Sequence, residues 1–181
     1  MTSAESDVAD DRAMADGSEG SGGPGTNPSS GRDRVIADAA ARGIDIELVS
    51  RPAADSLEAA AELLGISAVD IVKSLVVKRH DGTFLFALVP GDRQISWPKL
   101  RAVVGVNKLR LPSPEQALEV TGYERGTITP LGSSVAWPVF ADSRIVGRRV
   151  AMGAGAHGWS AFVEADALIA GFAATVADIS D

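Results

Sequence analysis

The sequence predicts an α+β (mixed α/β) domain with a central, largely antiparallel sheet flanked by helices. Residues 71–78 and residues 83–89 are apolar, β-branched runs, and the turn between them contains Asp81-Gly82, which is typical of a β-hairpin. Helical segments marked by a serine N-cap and a glycine stop lie outside this hairpin, as between Ser56 and Gly65. Strand and helix patterns therefore occur in one chain, with the hairpin at its centre.

Before the hairpin, the pattern predicts a helix, a strand and a second helix. Residues 34–42 have an apolar face and end at Gly43, and residues 44–49 are a short apolar run typical of a strand. Ser56 precedes apolar residues at positions 57, 60, 61 and 64, and this i, i+3, i+4, i+7 spacing indicates an amphipathic helix. That helix leads into the hairpin.

After the hairpin, the segment Pro90-Gly91-Asp92 ends the sheet and short helices alternate with strands. A helix is predicted after Ser96, and a second one starts at Ser113-Pro114-Glu115-Gln116, which has an N1 proline and a capping box. A last helix begins near Asp166. The remaining strands are predicted at residues 106–111, 135–141, 148–152, 160–163 and 175–179.

Composition divides the chain into a tail and one domain. Residues 1–31 are rich in Gly, Ser, Asp and Pro and carry six acids against one base, so they are predicted to be a disordered acidic tail. Residues 32–181 are predicted to form a single domain. There is no cysteine, and no apolar run approaches the roughly 20 residues that span a bilayer, which favours a soluble, cytoplasmic protein.

Few residues are available for metal or nucleophilic chemistry. His80 and His157 are the two histidines of the chain, so neither a multi-histidine nor a thiolate metal centre is expected, and we predict no metal and no cofactor. Without a cysteine or a Gly-x-Ser-x-Gly motif, a catalytic nucleophile is not expected either. His80 lies in the predicted turn and His157 in a glycine loop, where solvated or structural roles are expected.

Basic residues are concentrated in two windows that contain no acid. Residues 93–114 hold five cations and residues 143–163 hold three, whereas residues 32–181 as a whole carry 18 acids against 16 bases. The two windows could form a phosphate-contacting face on an otherwise acidic body. Ordinary solvated surface is the alternative.

Lys73 interrupts the first strand of the hairpin. With period two it shares a face with Ile71, Leu75 and Val77, and the opposite face is also mostly apolar, which is typical of an inner strand. A lysine on such a face is costly to bury, so it must meet an acceptor or open into a polar cleft. An edge strand whose lysine discourages aggregation is the alternative.

Two glycine-containing loops are further candidates for ligand binding. Residues 123–134 have no periodicity and contain Gly126, Pro130 and Gly132, which predicts a long loop of the kind that often carries function. The Gly153-x-Gly155 segment is too short for a dinucleotide fingerprint, but it lets a backbone pass close to a ligand and turn N–H groups toward an oxygen. An ordinary turn is the alternative.

Four segments occur in the order of a known family: IVKSLV at residues 71–76, ALVPGD at 87–92, TGYERGTITPLG at 121–132 and GAG at 153–155. Together they resemble the YbaK and prolyl-tRNA-synthetase-associated editing domain family over residues 34–179. The resemblance implies trans-editing, which is hydrolysis of the ester between a wrong amino acid and the 3′ end of a tRNA. The implied substrate is tRNA(Pro) charged with a small amino acid (Cys, Ala, Ser or Thr), and the implied partners are the aminoacyl-tRNA acceptor end and prolyl-tRNA synthetase.

The resemblance also implies roles for individual residues. Lys73 matches the family's essential lysine and is the expected catalytic residue, which would position the ester and stabilise the transition state. The expected substrate-binding residues are Ser74, Gly126, Thr127, Pro130, Gly132, Gly153 and Gly155, with Thr127 standing where close relatives of YbaK carry a second glycine. The basic windows, rather than the resemblance, provide the expected tRNA contacts, which are Lys99, Arg101, Lys108, Arg110, Arg144, Arg148 and Arg149.

Two other classes of function compete with this interpretation. A non-catalytic module with the same fold would bind tRNA or an aminoacyl group without cleaving it. A structural or protein-interaction domain would act through the acidic tail. Deacylation assays distinguish the non-catalytic module from an enzyme. Deletion of the tail distinguishes an interaction domain, which would lose its function, from an editing enzyme, which would keep its activity.

Overall fold

The computed structural model describes residues 30–181, so the predicted disordered tail lies outside the described residues except for its last two positions. Five α-helices and eight β-strands occur within this range. The helices are α1 (Gly31–Ala41), α2 (Leu57–Leu64), α3 (Trp97–Val104), α4 (Pro114–Thr121) and α5 (Ala165–Phe172). The strands are β1 (Ile46–Ser50), β2 (Val72–Arg79), β3 (Phe84–Pro90), β4 (Leu109–Arg110), β5 (Val139–Asp142), β6 (Arg149–Gly153), β7 (Trp159–Glu164) and β8 (Thr175–Ala177).

The predicted fold class is confirmed, but the strands form two sheets rather than one central sheet. One sheet is fully antiparallel, with the order β1-β7-β6. The other has the order β4-β2-β3-β5-β8 and is mixed, because β5 pairs in parallel with both β3 and β8. A single bridge between Ile71 and Ala151 joins the two sheets where β2 begins. The division depends on pairing between distant strands, which local periodicity does not specify.

Most helix starts and stops follow the predicted signals. The hydroxyl of Ser56 accepts from the backbone N–H of Ala59 at 3.1 Å, and that of Ser113 accepts from Gln116 at 3.2 Å. Helix α1 begins three residues earlier than predicted, because Ser30 and Asp33 form a reciprocal capping box that satisfies two N–H groups of the first turn. Ser96 precedes α3 as expected but makes no side-chain cap.

The β2–β3 hairpin separates two hydrophobic clusters, as its apolar faces predict. Alternate residues of the hairpin, such as Val76 and Phe86, pack into the larger cluster with β5, β6 and β7. The residues between them, such as Val77 and Leu85, pack into the smaller cluster with Leu100 of α3. Every residue of β3 is buried, which explains why its sequence is apolar on both faces.

Strand β2 is paired on both sides only at its end. Strand β3 pairs with it from Val72 to Lys78, whereas β4 pairs only with Lys78 and Arg79. The prediction of an inner strand is therefore right for the order of the sheet but not for the length of β2. Residues 72–77 have a free edge within the sheet, and Lys73 lies on this part of the strand.

Candidate functional site

A cleft of about 730 Å³ lies along the free edge of β2. Its walls come from the segment between β1 and α2, from α2 itself, from the start of α4, from the loop before β5 and from β6 and β7. The lining is mainly apolar, with Leu57, Ile128 and Met152 among its members. Lys73, Ser74, Gly126 and Gly153 all line this cleft, so four of the residues predicted from sequence come together at one place.

Lys73 is half-buried in the cleft wall and finds the acceptor that its position requires. Its Nζ donates a hydrogen bond to the backbone carbonyl of Arg93. Burial lowers the pKa of Lys73 from its ordinary value, while the carboxylates of Asp92 and Glu58 act in the opposite direction. The ammonium group is thus partly removed from water and faces two acidic side chains.

The turn after β3 holds this arrangement together. The N–H of Gly91 donates to the carbonyl of Ile71 at 2.7 Å. A Cβ atom on Gly91 would lie 2.3 Å from the carbonyl oxygen of Ala68 and 2.7 Å from a methyl group of Leu57, so only glycine fits. The turn therefore brings Asp92 and the Arg93 carbonyl against Lys73, which gives the predicted sheet break a function in the site.

Ser74 and Arg51 are two polar residues of the cleft lining. The Oγ atom of Ser74 is buried and has no hydrogen-bond partner among residues 30–181. Arg51 lines the cleft, and its Nε donates to the hydroxyl of Ser160 at 3.0 Å. Sequence reasoning missed Arg51, and its position at the end of β1, immediately before a proline, was the only available signal.

The two predicted glycine loops pack against each other, backbone to backbone. The N–H of Gly155 donates to the carbonyl of Thr127 at 3.0 Å. A Cβ atom on Gly153 would lie 2.4 Å from the carbonyl oxygen of Ile128, so the strand needs glycine there to approach the loop. Gly126 has a φ of +90° and lines the cleft. The glycines thus let the two loops form one wall of the site.

Four of the predicted substrate-binding residues do not line the cleft and instead brace its wall. Thr127 is buried and its hydroxyl donates to the carbonyl of Glu124 at 2.8 Å. Pro130 is buried behind the same loop. The N–H of Gly132 donates to Asp38 at 2.8 Å, and Gly155 packs against Gly31 at the start of α1.

Tyr123 anchors the loop that carries these residues. Its ring is buried, its hydroxyl donates to the carbonyl of Leu131 at 2.8 Å, and burial raises the pKa of this phenol. On the outer side, His157 and Glu124 contact each other at 2.9 Å between exposed side chains of the two loops. Within residues 30–181, no three histidine, aspartate or glutamate side chains are grouped closely enough to hold a metal ion.

Four of the seven predicted tRNA-contacting cations are engaged in ion pairs with the protein itself. These pairs are Lys99 with Asp178 and Asp181 at 3.1 and 3.0 Å, Arg144 with Asp178 at 2.7 Å, Arg148 with Asp70 at 2.9 Å, and Arg149 with Glu47 at 2.6 Å. The other three, Arg101, Lys108 and Arg110, form no ion pair within the described part of the chain, and they lie together on the surface. The two basic windows therefore do not form one uniform face.

Comparison with known proteins identifies the fold that carries this cleft. The model of the aminoacyl-tRNA editing domain matches residues 51–170, which include both glycine loops and Lys73. The chain belongs to the aminoacyl-tRNA editing domain family. The predicted family is thus confirmed, and the matched range contains the whole lining of the cleft.

Curated relatives of this editing domain are proline–tRNA ligases. The ligase of Thermosipho africanus is 41% identical over 88 residues, which make up 49% of this chain and 16% of the ligase. The ligase of Lactobacillus acidophilus is 33% identical over 112 residues, which make up 61% of this chain and 20% of the ligase. The matched part thus spans no more than a fifth of these relatives, and the editing domain resembles one segment of each.

Two solved structures match the editing domain over nearly their whole length. A candidate trans-editing enzyme for prolyl tRNA synthetase, known from a crystal structure, has a TM-score of 0.76 at 28% identity and covers 84% of this chain and 98% of its own. A hypothetical protein of known structure also has a TM-score of 0.76, at 27% identity, with 82% and 99% covered. No helix among residues 30–181 combines the length and apolarity required to cross a bilayer.

Proposed function

We propose that this editing domain is a trans-acting deacylase that hydrolyses the ester of mischarged tRNA(Pro) carrying Cys, Ala, Ser or Thr. The single observation that carries the proposal is the half-buried Lys73 on the free edge of β2, facing a cleft closed by two glycine loops. The similarity to proline–tRNA ligases supports tRNA(Pro) as the substrate and prolyl-tRNA synthetase as a partner. Both would be met in the cytoplasm.

The chemistry requires a water molecule and no protein nucleophile. The water oxygen attacks the carbonyl carbon of the ester, and negative charge develops on the carbonyl oxygen. The bond to the ribose oxygen then breaks, a proton passes to that oxygen, and the free amino acid and the tRNA 3′ hydroxyl are released. In this proposal the ammonium group of Lys73 and N–H groups of the Gly126 loop stabilise the developing charge in a partly desolvated cleft.

The lining of the cleft supports a small amino acid as the group removed. Apolar side chains such as Leu57, Ala60 and Met152 line the space beside Lys73. A pocket of this kind separates small side chains by only about 1–3 kcal/mol per methylene and admits an added hydroxyl, which is why four amino acids remain candidates. The unpartnered hydroxyl of Ser74 would be available to a polar group of the substrate.

A panel of mischarged tRNAs tests the proposal. Purified protein is incubated with tRNA(Pro) charged with each of the four amino acids and with proline, and release of the amino acid is followed. We expect Lys73→Ala to lower the rate by roughly 100-fold or more, because it removes the charge that stabilises the transition state. The matched control is Arg42→Gln, which removes a cation at the end of α1 outside the cleft.

Two results would contradict the proposal. If the Lys73→Ala variant deacylates every charged tRNA at the wild-type rate, Lys73 takes no part in the reaction. Binding of aminoacyl-tRNA without release of any amino acid would support the non-catalytic module instead. Thermal unfolding of each variant shows whether a lost rate comes from a lost fold.

A further inference from the structure

A second cleft, of about 760 Å³, lies at the far end of β2 from Lys73. It is formed by the end of β2, the hairpin turn, the C-terminal end of α3 and strand β4. Six basic side chains line it, and Asp81 is the acid in the lining. We refer to it as the basic cleft, and its basic residues are Lys78, Arg79, His80, Arg101, Lys108 and Arg110.

Lysine and arginine side chains outnumber the acid in the lining of the basic cleft by five to one. None of its six basic residues forms an ion pair within the part of the protein that the structure describes, in contrast to Lys99, Arg148 and Arg149. Asp81 is occupied by its own turn, because its carboxylate accepts from both the N–H and the hydroxyl of Thr83, at 2.9 and 2.6 Å. These two bonds also lower the pKa of Asp81.

Arg79 supplies a second, independent observation. Its Nε atom is buried and has no hydrogen-bond partner among residues 30–181. A buried donor without an acceptor is costly, so the Arg79 side chain gains a hydrogen bond if its guanidinium group turns toward an acceptor in the basic cleft. Oxygen atoms of an anion are suited to this position, since guanidinium groups bind phosphate oxygens with particular strength.

The basic cleft is continuous with the site that contains Lys73. Leu109 and Arg110 line the basic cleft, and the next two residues, Leu111 and Pro112, line the first cleft. Lys73 and Lys78 lie on the same strand, five residues apart, which corresponds to about 17 Å at 3.3 Å per residue. A few nucleotides of an RNA strand span such a distance, so one tRNA end can reach both places.

We infer that the basic cleft binds phosphodiester groups of the tRNA acceptor end whose aminoacyl ester lies at Lys73. This inference rests on the proposed function and specifies where the tRNA backbone runs. Convergent cations repel each other and exclude metal ions, whereas an RNA strand brings several negative charges at regular spacing. The protein contacts the tRNA through Arg101, Lys108 and Arg110, whereas Lys99, Arg148 and Arg149 are already paired with carboxylates of the protein itself.

The test compares two triple variants that remove the same charge. One changes Arg101, Lys108 and Arg110 to Gln, and the control changes Lys99, Arg148 and Arg149 to Gln. Binding of uncharged tRNA(Pro) is measured by fluorescence anisotropy over a range of salt concentrations. We expect the first variant to bind roughly tenfold or more weakly at 0.1 M salt, and its slope of log K against log salt to become shallower by about 2 to 3. The control variant should lose much less affinity, and its slope of log K against log salt should change much less.

A second readout separates this inference from the proposed function. A 2′(3′)-aminoacyl adenosine carries the ester but almost none of the tRNA backbone. We expect the basic-cleft variant to cleave this short ester at the wild-type rate and to lose activity only on full-length tRNA. If no ester is cleaved by any protein, the proposed function fails while the binding measurement still decides the inference.

Two outcomes would overturn the inference. In one, the basic-cleft variant binds tRNA with the affinity and salt slope of the wild type. In the other, the control variant loses as much affinity as the basic-cleft variant, which would mean that only total charge matters. If the triple variant unfolds, the single changes Lys108→Gln and Arg110→Gln, at exposed positions, are measured in its place.

Discussion

At the scale of single residues, the environment of Lys73 determines the pH range in which it can stabilise negative charge. The cationic form is lost as the pH rises through the pKa of Lys73, and burial places that pKa below the ordinary lysine value. Asp92 and Glu58 act against this shift. In the proposed reaction, the alkaline limit of activity would therefore depend on the carboxylates that face the ammonium group as well as on the lysine.

This arrangement gives a prediction for Asp92→Asn. Removing a carboxylate that raises the pKa of Lys73 lowers that pKa further, so the alkaline fall in deacylation should move to lower pH. The measurement is a pH–rate profile under single-turnover conditions, from which the rate without protein is subtracted. Glu119→Gln, at an exposed position of α4, is the control and should leave the profile unchanged. An unchanged pH–rate profile in Asp92→Asn would mean that the alkaline fall in the deacylation rate does not come from deprotonation of Lys73.

The Ser74→Ala variant should change activity while leaving the free energy of unfolding nearly unchanged. Its buried hydroxyl has no partner within the described residues, so Ser74→Ala breaks no hydrogen bond and should change the free energy of unfolding by less than about 1 kcal/mol. Deacylation of Ser- and Thr-tRNA should fall relative to Ala-tRNA if this hydroxyl contacts the substrate. Chemical denaturation and the charged-tRNA panel give the two readouts.

The matched control for Ser74 is Thr121→Val. The Thr121 hydroxyl is buried, donates to the carbonyl of Ala117 at 2.7 Å and accepts from the N–H of Tyr123 at 3.1 Å. Its removal should therefore cost about 1–3 kcal/mol of stability. A Ser74→Ala protein that is destabilised as strongly as Thr121→Val would show that Ser74 has a structural partner.

At the scale of elements, the contact between the two glycine loops should be intolerant of any side chain. Gly153→Ala places a Cβ atom 2.4 Å from the backbone oxygen of Ile128, so the loop must move. We expect a loss of about 1–3 kcal/mol of stability and a lower deacylation rate, measured by denaturation and by the tRNA assay. Gly147→Ala is the control, because it has a φ of +76° but open space, and should lose stability without losing activity.

Sequence reasoning succeeded for elements whose signals are local. The hairpin, the caps at Ser56 and Ser113 and the long loop after α4 are determined by residues within a few positions of each other, and all are present. It failed where the partner is distant in the chain. The ion pair between Arg148 and Asp70 joins residues 78 positions apart, so no pattern in the sequence could separate this paired cation from Lys108.

The candidate site was also predictable where its signals are local in the sequence, and not where they depend on distant segments. Lys73 is recognisable because a lysine within an apolar strand is costly, and the two glycine loops are recognisable from their lack of periodicity and their glycine spacing. Family resemblance then assigned substrate-binding roles to residues of these loops. The resemblance could not distinguish glycines that line the cleft, such as Gly126, from those that brace it, such as Gly132. That distinction depends on which elements pack behind the loop, and α1 supplies much of that packing through Asp38 and Arg34.

At the scale of the whole molecule, the acidic N-terminal segment and the folded domain can be tested separately. We predict that deletion of residues 1–29 leaves deacylation unchanged, because the deletion keeps the capping box that begins at Ser30, and the cleft lining that the structure describes lies within residues 51–160. The comparison is a deletion of residues 1–34, which also removes the cap at Ser30 and should cost about 1 kcal/mol or more of stability. Loss of function in the shorter deletion would favour a domain that acts through its tail.

The pairing of β1 with β7 has a consequence for the synthesis of the chain. Ile46 is paired with Val163, more than 100 positions later, so the three-stranded sheet cannot close while β7 is still in the ribosome. The local β2–β3 hairpin can form much earlier, and contacts between distant segments are the slow ones. Because Trp159 and Ser160 belong to β7, the cleft beside Lys73 is completed only after this strand has left the ribosome. A nascent chain would therefore carry Lys73 well before it carries a complete site for the proposed reaction.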